Sequence, residues 1–563
     1  MDAGALSDLA PARGVMLGRR AAALLIALAV AMLVAETLRE SAARRWPQYD
    51  EVSYLALGRA LAHEGGTGAQ VRCYLDARCK EDNRPPLYQM VLAPFVDDTP
   101  GAFARAKLVE LGMALLLVVT VAVVVRRAFS PAVAVGSVML VCLMPVMPEY
   151  GARLMHDLLY CALTFAAVGA IAAAPERGAL GGFVAGALVG LAFITKGSGH
   201  LLWLPLLATA FAAHRARLPR RPLVYAAAAG FLVTASFLLV RNVKLWGSAF
   251  YNVNAAEVWL DTWREALVMK LLPEHAKLGL GYYLHRHSML DLAVKLARGF
   301  GEVVGLYVYT AGFGARNVAV RVLTGLAVIA LAALGLRRRW RAGHRHEIVA
   351  VGSTVALFSA ALVLGVTGAP GPQVRYVLPY VLLLCPFAVH EALEGVWPRL
   401  RDRLAGWFPG RSPSVIALGA LALWLAARLA AAAPAALHDP RQLYALEPRA
   451  HETSLWLSQH LRPGERFGLP HESYYSTWDV PRPDLDPRWI TWFGLPDADL
   501  LRFMQEAQVD KVVIDRGDKG AADYADKLAA APSDAHGPLA FLGWPRCFSD
   551  GAAPSRFLVY CRP

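Results

Sequence analysis

Long apolar segments with few charges constrain this chain more than any other feature. Of its 563 residues, 56% are hydrophobic and only 18% are charged, a balance that soluble proteins of this size rarely have. A helix needs roughly 20 apolar residues to cross a bilayer. The runs at 21–38, 107–125, 132–147, 158–174, 180–195, 199–213, 222–240, 317–336, 347–367, 376–395 and 414–433 predict about eleven membrane spans. The fold class is therefore a polytopic α-helical membrane protein.

Basic residues occur at alternate ends of these spans. The clusters are Arg19-Arg20, Arg126-Arg127, Arg215/Arg217/Arg220/Arg221, Arg337-Arg338-Arg339 with Arg341, and Arg399/Arg401/Arg403. Since basic loops stay in the cytoplasm, segments 39–105, 241–316 and 434–563 are predicted to lie outside the cytoplasm. This topology accounts for most of the net charge of +13. A nucleic-acid-binding function is disfavoured, because no basic cluster has a soluble domain around it.

Composition divides the chain into two predicted domains. Residues 1–435 form the membrane domain, with long outer loops at about 39–105 and 241–316. Residues 436–563 are richer in acidic residues, Pro and His, which is a change from the membrane domain. They alternate amphipathic stretches (451–461, 497–507, 520–530) with short strand-like runs (511–515, 557–560), which is typical of a small α/β domain on the outer side. Loop stretch 255–272 has apolar residues at helical spacing and predicts an interfacial helix. The first span has no small-residue cleavage site and is read as a retained anchor.

Cysteine positions agree with this topology. Cys73 and Cys79 lie in one outer segment, and Cys547 and Cys561 lie in another. Short-range pairs on an oxidising side of the membrane predict two disulfides. Neither spacing fits a CxxC metal site.

The adjacent acids Asp50 and Glu51 are the first candidates for chemistry. They follow the first span within the outer loop, and a helical reading of the next residues places Tyr54 one turn from Asp50. One carboxylate could take a proton from an acceptor hydroxyl while the other supports it, or the two could hold a divalent metal. The structural alternative is a pair of loop acids that face water.

The segment Arg84 to Gln89, RPPLYQ, enters the second span. Two prolines fix its backbone and place Arg84 and Tyr88 at the membrane interface. Arg84 could hold a phosphate in bidentate fashion. Both residues could instead be simple interfacial anchors.

Arg153 and Asp157 stand four residues apart at the outer end of the fourth span. This spacing places both on one face of a helix. Asp157 could contact substrate, although a structural ion pair with Arg153 is the stronger interpretation. His156 would point away from that face if the segment is helical.

Two further cations lie at outer span ends. Lys196 precedes a glycine in ITKGSG, and Arg375-Tyr376 open the tenth span ahead of Pro379. Ionisable groups at membrane depth are functional candidates by default, and these two could face one outer cavity and bind an anionic group. The lysine segment fails the spacing of a Walker A loop and lies on the wrong side of the membrane for ATP.

Taken in order, these motifs resemble the GT-C superfamily of integral-membrane glycosyltransferases. The resemblance is to the bacterial branch related to protein O-mannosyltransferases and to the aminoarabinose transferase of lipid A, and it covers about residues 20–395. The matching segments are Asp50-Glu51, Arg84-Pro85-Pro86-Leu87-Tyr88, Arg153 with Asp157, Thr195-Lys196-Gly197, Arg375-Tyr376 with Pro379, and the RN…FYN segment at 241–252.

The resemblance implies an inverting glycosyltransferase with a polyprenyl-phosphate sugar donor. The acceptor would be a hydroxyl of lipid A, another glycan, a lipid or a protein, so lipopolysaccharide modification and protein glycosylation are both expected contexts. Arg84, Lys196 and Arg375 would hold the donor phosphate, and Asp50 would be the base with Glu51 as its support. Tyr54, Tyr88, Arg153, Asp157 and Tyr376 would make the other substrate contacts. A divalent metal on the acidic pair is the rival explanation.

Two other classes compete with this function. A polyprenyl-lipid transporter or flippase would place ionisable residues at mid-membrane on helices broken by Gly or Pro, with an inverted repeat. An O-antigen ligase or polymerase would have arginine-rich outer loops, usually without an acidic pair directly after the first span. The sequence identifies neither the sugar nor the acceptor.

Overall fold

The chain folds mostly into helices. The computed structural model describes residues 19–44, 50–79, 84–97, 102–214, 222–261, 278–313, 317–365, 374–407 and 413–436, together with short pieces of 452–563. The first ten helices are α1 (Arg19–Ala43), α2 (Asp50–His63), α3 (Gly66–Leu75), α4 (Pro86–Leu92), α5 (Ala102–Ala128), α6 (Pro131–Leu143), α7 (Val146–Gly151), α8 (Asp157–Thr195), α9 (Trp203–His214) and α10 (Pro222–Trp246). They are followed by α11 (Val253–Ala256), α12 (Leu280–Arg286), α13 (Met289–Ala311), α14 (Val318–Arg341), α15 (Arg345–Gly365), α16 (Val374–Glu391), α17 (Trp397–Trp407) and α18 (Pro413–Ala436).

Eight helices in the described part are long and apolar enough to cross a membrane, and two shorter apolar helices accompany them. Every predicted span coincides with one of these ten. The two spans predicted at 158–174 and 180–195 both fall on α8, which has 39 residues. The protein is therefore a multi-pass membrane protein, as its apolar runs indicate.

Helix α8 folds back on itself. A straight helix of 39 residues would be about 58 Å long, yet Lys196 Nζ after its end lies 3.2 Å from Asp157 Oδ1 at its start. Gly178 has φ 61°, a backbone conformation that other residues rarely adopt, and Pro175 stands just before it. The segment is consequently an antiparallel helical hairpin, which reconciles one long helix with two predicted spans.

The second arm of this hairpin packs very closely against α10. Added Cβ atoms at Gly182, Gly186 and Gly190 would lie 2.2 Å, 1.9 Å and 2.0 Å from atoms of α10. Small residues allow this approach, and such stripes commonly mediate helix packing in membranes. The glycines thereby fix the position of the arm that ends at Lys196.

We expect Gly186→Ala to lower the thermal stability of the purified protein in detergent by several degrees. Its methyl group would meet the Ala227 carbonyl, and overpacking of this kind costs about 1–3 kcal/mol, more than the roughly 1 kcal/mol that alanine gains in helix propensity. Gly112→Ala in α5 is the matched control, because nothing lies within 4 Å of its added Cβ. Equal melting temperatures for the two variants would contradict the packing argument.

The two ends of the helix bundle differ in charge. At one end, Arg339 donates to the Ala128 carbonyl at 3.0 Å, and Arg338 pairs with Glu391 at 2.6 Å. Arg339 also pairs with Glu347, so this basic end joins the last turns of α5, α14 and α16 to the first turn of α15. At the opposite end, Lys107 of α5 donates to the Ser41 and Arg44 carbonyls, which ties the start of α5 to the end of α1. The cluster of Arg338 and Arg339 and the Lys107 contacts thus lie at opposite ends of α5.

The segment predicted as a long outer loop contains an amphipathic helix that the sequence analysis missed. Helix α13 begins with a capping box of Ser288 and Asp291. It buries Lys295, which donates to the Leu260 carbonyl at 2.5 Å, and exposes Leu290 and Phe300. Of the interfacial helix predicted at 255–272, the structure describes only residues 255–261, and the rest lies outside the described residues.

The C-terminal segment contains a small mixed sheet. Its strands are β1 (Arg466–Pro470), β2 (Asp486–Ile490), β3 (Val509–Asp515), β4 (Arg546–Ser549) and β5 (Phe557–Cys561), in the order β2-β1-β3-β5-β4. β1 pairs in parallel with β2 and β3, while β5 pairs antiparallel with β3 and β4. The strand-like runs at 511–515 and 557–560 are β3 and β5. The amphipathic stretches at 497–507 and 520–530 lie outside the described residues.

Both expected cysteine pairs are bonded. Cys73–Cys79 closes the turn after α3, and Cys547–Cys561 joins the neighbouring strands β4 and β5. Cys142, Cys161 and Cys385 are free and buried in the membrane helices. They therefore act as small apolar side chains.

Candidate active site

Asp50 lies in a cluster of charged side chains at the end of the bundle opposite the basic end. It begins α2, where a carboxylate is favoured by the helix dipole. Its Oδ1 accepts from Arg84 at 2.9 Å, and its Oδ2 accepts from Arg375 at 3.0 Å. Arg84 precedes α4 and Arg375 stands in the first turn of α16, so three distant segments of the chain meet at one carboxylate.

The two guanidiniums decide the protonation state of Asp50. Burial by itself would raise its pKa, but the charges of Arg84 and Arg375 outweigh burial and hold the pKa well below the ordinary value. Asp50 is consequently ionised at neutral pH. Its side chain remains 31% exposed, so an incoming group can reach it.

The backbone at Arg84 is fixed by two side-chain amides. Gln89 donates to the Arg84 carbonyl at 2.8 Å, and Gln70 of α3 donates to Gln89 at 2.9 Å. The side chain of Arg84 can therefore respond to a ligand without movement of the chain behind it.

Glu51 supports the site from behind. It is 1% exposed, and its Oε2 accepts from Arg44 at 3.0 Å. Its Oε1 accepts the backbone N–H of Leu154 at 3.1 Å. This bond fixes the loop that leads to His156 and Asp157 relative to α2. Glu51 therefore holds the segments around Asp50 in place, and its own carboxylate has little access to a substrate.

A second carboxylate and cation lie at the mouth of the α8 hairpin. Asp157 is 1% exposed and accepts from Lys196 at 3.2 Å. The Lys196 ammonium also lies 4.9 Å from the centre of the Tyr376 ring, a cation–π distance. The Tyr376 hydroxyl in turn accepts from Arg375 at 3.1 Å. Tyr376 thus connects the Lys196 pair with the Asp50 pair.

The expected partnership between Arg153 and Asp157 is wrong. Arg153 pairs with Glu149 at 2.6 Å, whereas Asp157 pairs with Lys196. Residues four apart share a face only in a continuous helix. Residues 152–156 are not helical, and α8 starts only at Asp157.

Tyr88 does not lie where the sequence placed it. It has no exposed surface, and its hydroxyl donates to the buried Glu110 of α5. Its ring packs edge-on against Tyr54 at 4.7 Å. Tyr88 therefore packs beneath the site and does not form an interfacial substrate contact.

His156 is a site residue that the sequence analysis set aside. Because its segment is not helical, its Nδ1 meets the Tyr54 hydroxyl of α2. Its Nε2 lies 3.9 Å from Asp157 Oδ1. Burial lowers the pKa of His156 to about 4, with help from the charges of Lys196 and Arg375 and against that of Asp157. The imidazole is neutral at physiological pH.

The acidic pair does not form a metal site in this arrangement. Both oxygens of Asp50 face guanidiniums, and those of Glu51 face Arg44 and a backbone N–H. Within the described ranges, no group of three or more His, Cys, Asp or Glu side chains has the geometry to hold a metal ion.

The neutral state of His156 predicts a pH dependence of stability. The unfolded chain takes up this proton near pH 6.5, and the folded protein takes it up only near pH 4. Between these values the unfolded state holds more protons, so the free energy of unfolding decreases as the pH is lowered. The effect can reach about 3 kcal/mol. We expect the melting temperature of the wild type to fall more steeply from pH 7 to pH 4.5 than that of His156→Asn. Parallel curves would contradict it.

Comparisons with known proteins agree with this architecture. The family model for dolichyl-phosphate-mannose-protein mannosyltransferases matches residues 83–240. No curated protein sequence matches the chain at a significant level. Among solved structures, apo ArnT from Cupriavidus metallidurans is similar with 12% identity and a TM-score of 0.54, covering 96% of this chain and 97% of that one.

Two ligand-bound structures are also similar. ArnT from Cupriavidus metallidurans bound to undecaprenyl phosphate has 13% identity and a TM-score of 0.53, with the same coverage of 96% and 97%. The archaeal oligosaccharyltransferase AglB from Archaeoglobus fulgidus, in complex with an inhibitory peptide and a dolichol-phosphate, has 13% identity and a TM-score of 0.51, covering 88% of this chain and 69% of that one. The chain therefore has the GT-C fold of integral-membrane glycosyltransferases.

Proposed function

We propose that this protein is an inverting glycosyltransferase that moves a sugar from a polyprenyl-phosphate donor to an acceptor hydroxyl. The observation that carries the proposal is the Asp50 carboxylate held between Arg84 and Arg375 at 2.9 Å and 3.0 Å. The candidate base and the candidate phosphate-binding groups are thus in direct contact. The ligands of the similar structures, undecaprenyl phosphate and dolichol-phosphate, support a donor of this class.

The charge of the site suits a phosphodiester. Three cations, Arg84, Lys196 and Arg375, stand against two carboxylates, Asp50 and Asp157, which leaves a surplus of one positive charge. A sugar linked to polyprenyl phosphate carries one negative charge. Because guanidinium groups bind phosphate oxygens with strong charge-assisted hydrogen bonds, the donor phosphate would take Arg375, Lys196 and Arg84 as partners.

Donor binding would also make Asp50 a better base. A carboxylate with a strongly lowered pKa accepts protons poorly. A phosphate that competes for the two guanidiniums removes the charges that lower this pKa, so it returns toward its ordinary value. Asp50 would then accept the acceptor proton only when the donor is in place.

The charges balance in the transfer step. The acceptor oxygen bonds to the anomeric carbon as the bond from that carbon to the phosphate oxygen breaks, and the acceptor proton passes to Asp50. Attack from the face opposite the phosphate inverts the anomeric centre. Asp50 loses one negative charge and the leaving polyprenyl phosphate gains one, so the same cations can stabilise the charge where it develops.

The orientation and the acceptor belong to the proposal as well. The basic end, with Arg338 and Arg339, would face the cytoplasm, and the site would open on the periplasmic side of a bacterial inner membrane. Residues 436–563 would form a periplasmic domain beside it. The acceptor would be lipid A, another glycan, a lipid or a protein.

Donor turnover tests the proposal directly. The purified protein would be incubated with polyprenyl-phosphate mannose and polyprenyl-phosphate aminoarabinose, with lipid A and a peptide pool as acceptors, and free polyprenyl phosphate would be measured. Release that requires an acceptor is the expected result. Absence of binding and release for both donors, together with transfer of a labelled polyprenyl phosphate between the leaflets of proteoliposomes, would replace the enzyme with a flippase.

A further inference from the structure

Two adjacent residues at the mouth of the α8 hairpin each bury a polar atom that has no hydrogen-bond partner among the described residues. The two atoms are His156 Nε2 and Asp157 Oδ2. Asp157 is 1% exposed, and the His156 side chain is 13% exposed. Leaving such an atom unpaired costs about 1–3 kcal/mol. Since native structures rarely leave buried polar atoms unpaired, the pair needs an explanation.

The Tyr54 hydroxyl sets the direction of the imidazole. It has no acceptor other than His156 Nδ1 within the described structure, so its hydrogen points to that nitrogen. Burial raises the pKa of Tyr54 well above its ordinary value, which keeps this hydrogen in place. A neutral imidazole that accepts at Nδ1 carries its own hydrogen at Nε2. His156 Nε2 is therefore a donor, and the carboxylate of Asp157, whose Oδ1 lies 3.9 Å from Nε2, is an acceptor.

A hydroxyl is the group that satisfies both atoms. It can accept from Nε2–H and donate to the carboxylate at the same time. An ammonium group has no lone pair for Nε2–H, and a phosphodiester has no hydrogen for Asp157 and would be repelled by it. The chemistry of the pair therefore selects a neutral group with both a lone pair and a hydrogen, which a sugar hydroxyl or a water molecule provides.

The sugar of the donor is the source of this hydroxyl that the surrounding charges favour. The electrostatic neighbours of His156 are Asp157, Lys196, Arg375 and Asp50. If Lys196 and Arg375 hold the phosphate and Asp50 meets the acceptor, the transferred ring lies between them, beside His156. We infer that His156 Nε2 and Asp157 Oδ2 bind one hydroxyl of the transferred sugar. This inference rests on the proposed function and adds to it a residue that recognises the sugar.

Two variants separate this role from a purely structural one. In His156→Asn the amide can reach the Tyr54 hydroxyl but not the place of Nε2. In His156→Gln the longer amide can reach the place of Nε2 but loses the contact to Tyr54. Binding of a hydroxyl predicts that Gln retains more activity than Asn, whereas a structural role predicts the reverse order.

The affinity for two ligands would be measured for each variant. Polyprenyl-phosphate mannose, or the donor that turns over best, reports on the sugar, and polyprenyl phosphate reports on the phosphate site alone. We expect His156→Asn to bind the sugar donor about tenfold more weakly and polyprenyl phosphate unchanged. The control is His287→Asn, whose ring pairs with Asp261 in a separate loop and whose loss should change neither affinity.

Singly deoxygenated donors identify the hydroxyl and do not require the variants to fold equally well. One deoxy donor should bind the wild type about tenfold more weakly than its parent. The same deletion should cost no further affinity in His156→Asn.

The outcomes are distinct. Unchanged sugar-donor affinity in His156→Asn with no sensitive deoxy donor in the wild type would overturn the inference, and a raised KM for the acceptor alone would assign the hydroxyl to the acceptor instead. Better function of Asn than Gln would reduce His156 to a support for Tyr54. Failure of the wild type to bind any sugar donor would overturn the proposed function itself.

Discussion

Asp50→Asn should reduce sugar transfer by about a thousandfold, because a general base contributes about 10²–10⁴ in rate. The amide cannot take the acceptor proton. It also removes the Asp50 carboxylate from Arg84 and Arg375, so phosphate no longer competes with that carboxylate for the two guanidiniums. The variant should therefore bind polyprenyl phosphate more tightly than the wild type while releasing almost none from the sugar donor. Loss of rate and gain of phosphate affinity together distinguish a base from a simple binding group.

The matched control for this variant is Asp76→Asn. Asp76 lies in the same outer loop, is 58% exposed and pairs only with the exposed Arg78 in the described structure. Its removal should leave both rate and affinity unchanged. Full turnover by Asp50→Asn would remove Asp50 as the base, and a lower phosphate affinity would show that the carboxylate is not competing with the donor.

Arg375→Ala should weaken donor binding by about 10- to 100-fold, since a hydrogen bond to a charged group contributes about 1.5–3 kcal/mol. Arg375 donates to Asp50 and to Tyr376, so its removal also frees the ring beneath Lys196. The measurement is the affinity for polyprenyl phosphate in detergent at two salt concentrations. Charge-assisted binding predicts that the wild type loses more affinity at high salt than the variant does.

Arg298→Ala is a suitable control, because Arg298 is an exposed cation on α13 that pairs with Glu302 in the next turn. Its removal changes the net charge equally but leaves the cluster around Asp50 intact. Equal affinities for Arg375→Ala and the wild type would take Arg375 out of the phosphate site.

The sequence predicted the membrane helices well because their signal is local. A run of apolar residues such as 222–240 indicates a membrane environment without any knowledge of the rest of the chain. This run falls within α10. Helix α13 was not predicted, because the charged residues Lys295, Arg298 and Glu302 interrupt its apolar residues along the sequence. These apolar residues form a continuous stripe only when the segment is arranged as a helix. Helix α13 is stabilised by packing on α14, α15 and α16, which its composition does not reveal.

The sequence predicted which residues form the site better than it predicted which of them pair with each other. Asp50, Arg84, Lys196 and Arg375 could be singled out because charges are costly at membrane depth. Which acid meets which base depends on contacts between segments up to 325 residues apart, as for Arg375 and Asp50. His156 was missed because a helical spacing was applied to a segment that is not helical, and no local residue type signals its contact with Tyr54.

The α8 hairpin makes the site sensitive to chain length. Asp157 and Lys196 meet only because the two arms have matching lengths and the turn at Gly178 returns the chain to its starting level. Inserting one residue in either arm would rotate everything beyond it by about 100° and shift it by about 1.5 Å, which turns Lys196 away from its partner. Distant versions of this protein should therefore change the length of this hairpin only by compensating pairs or whole turns.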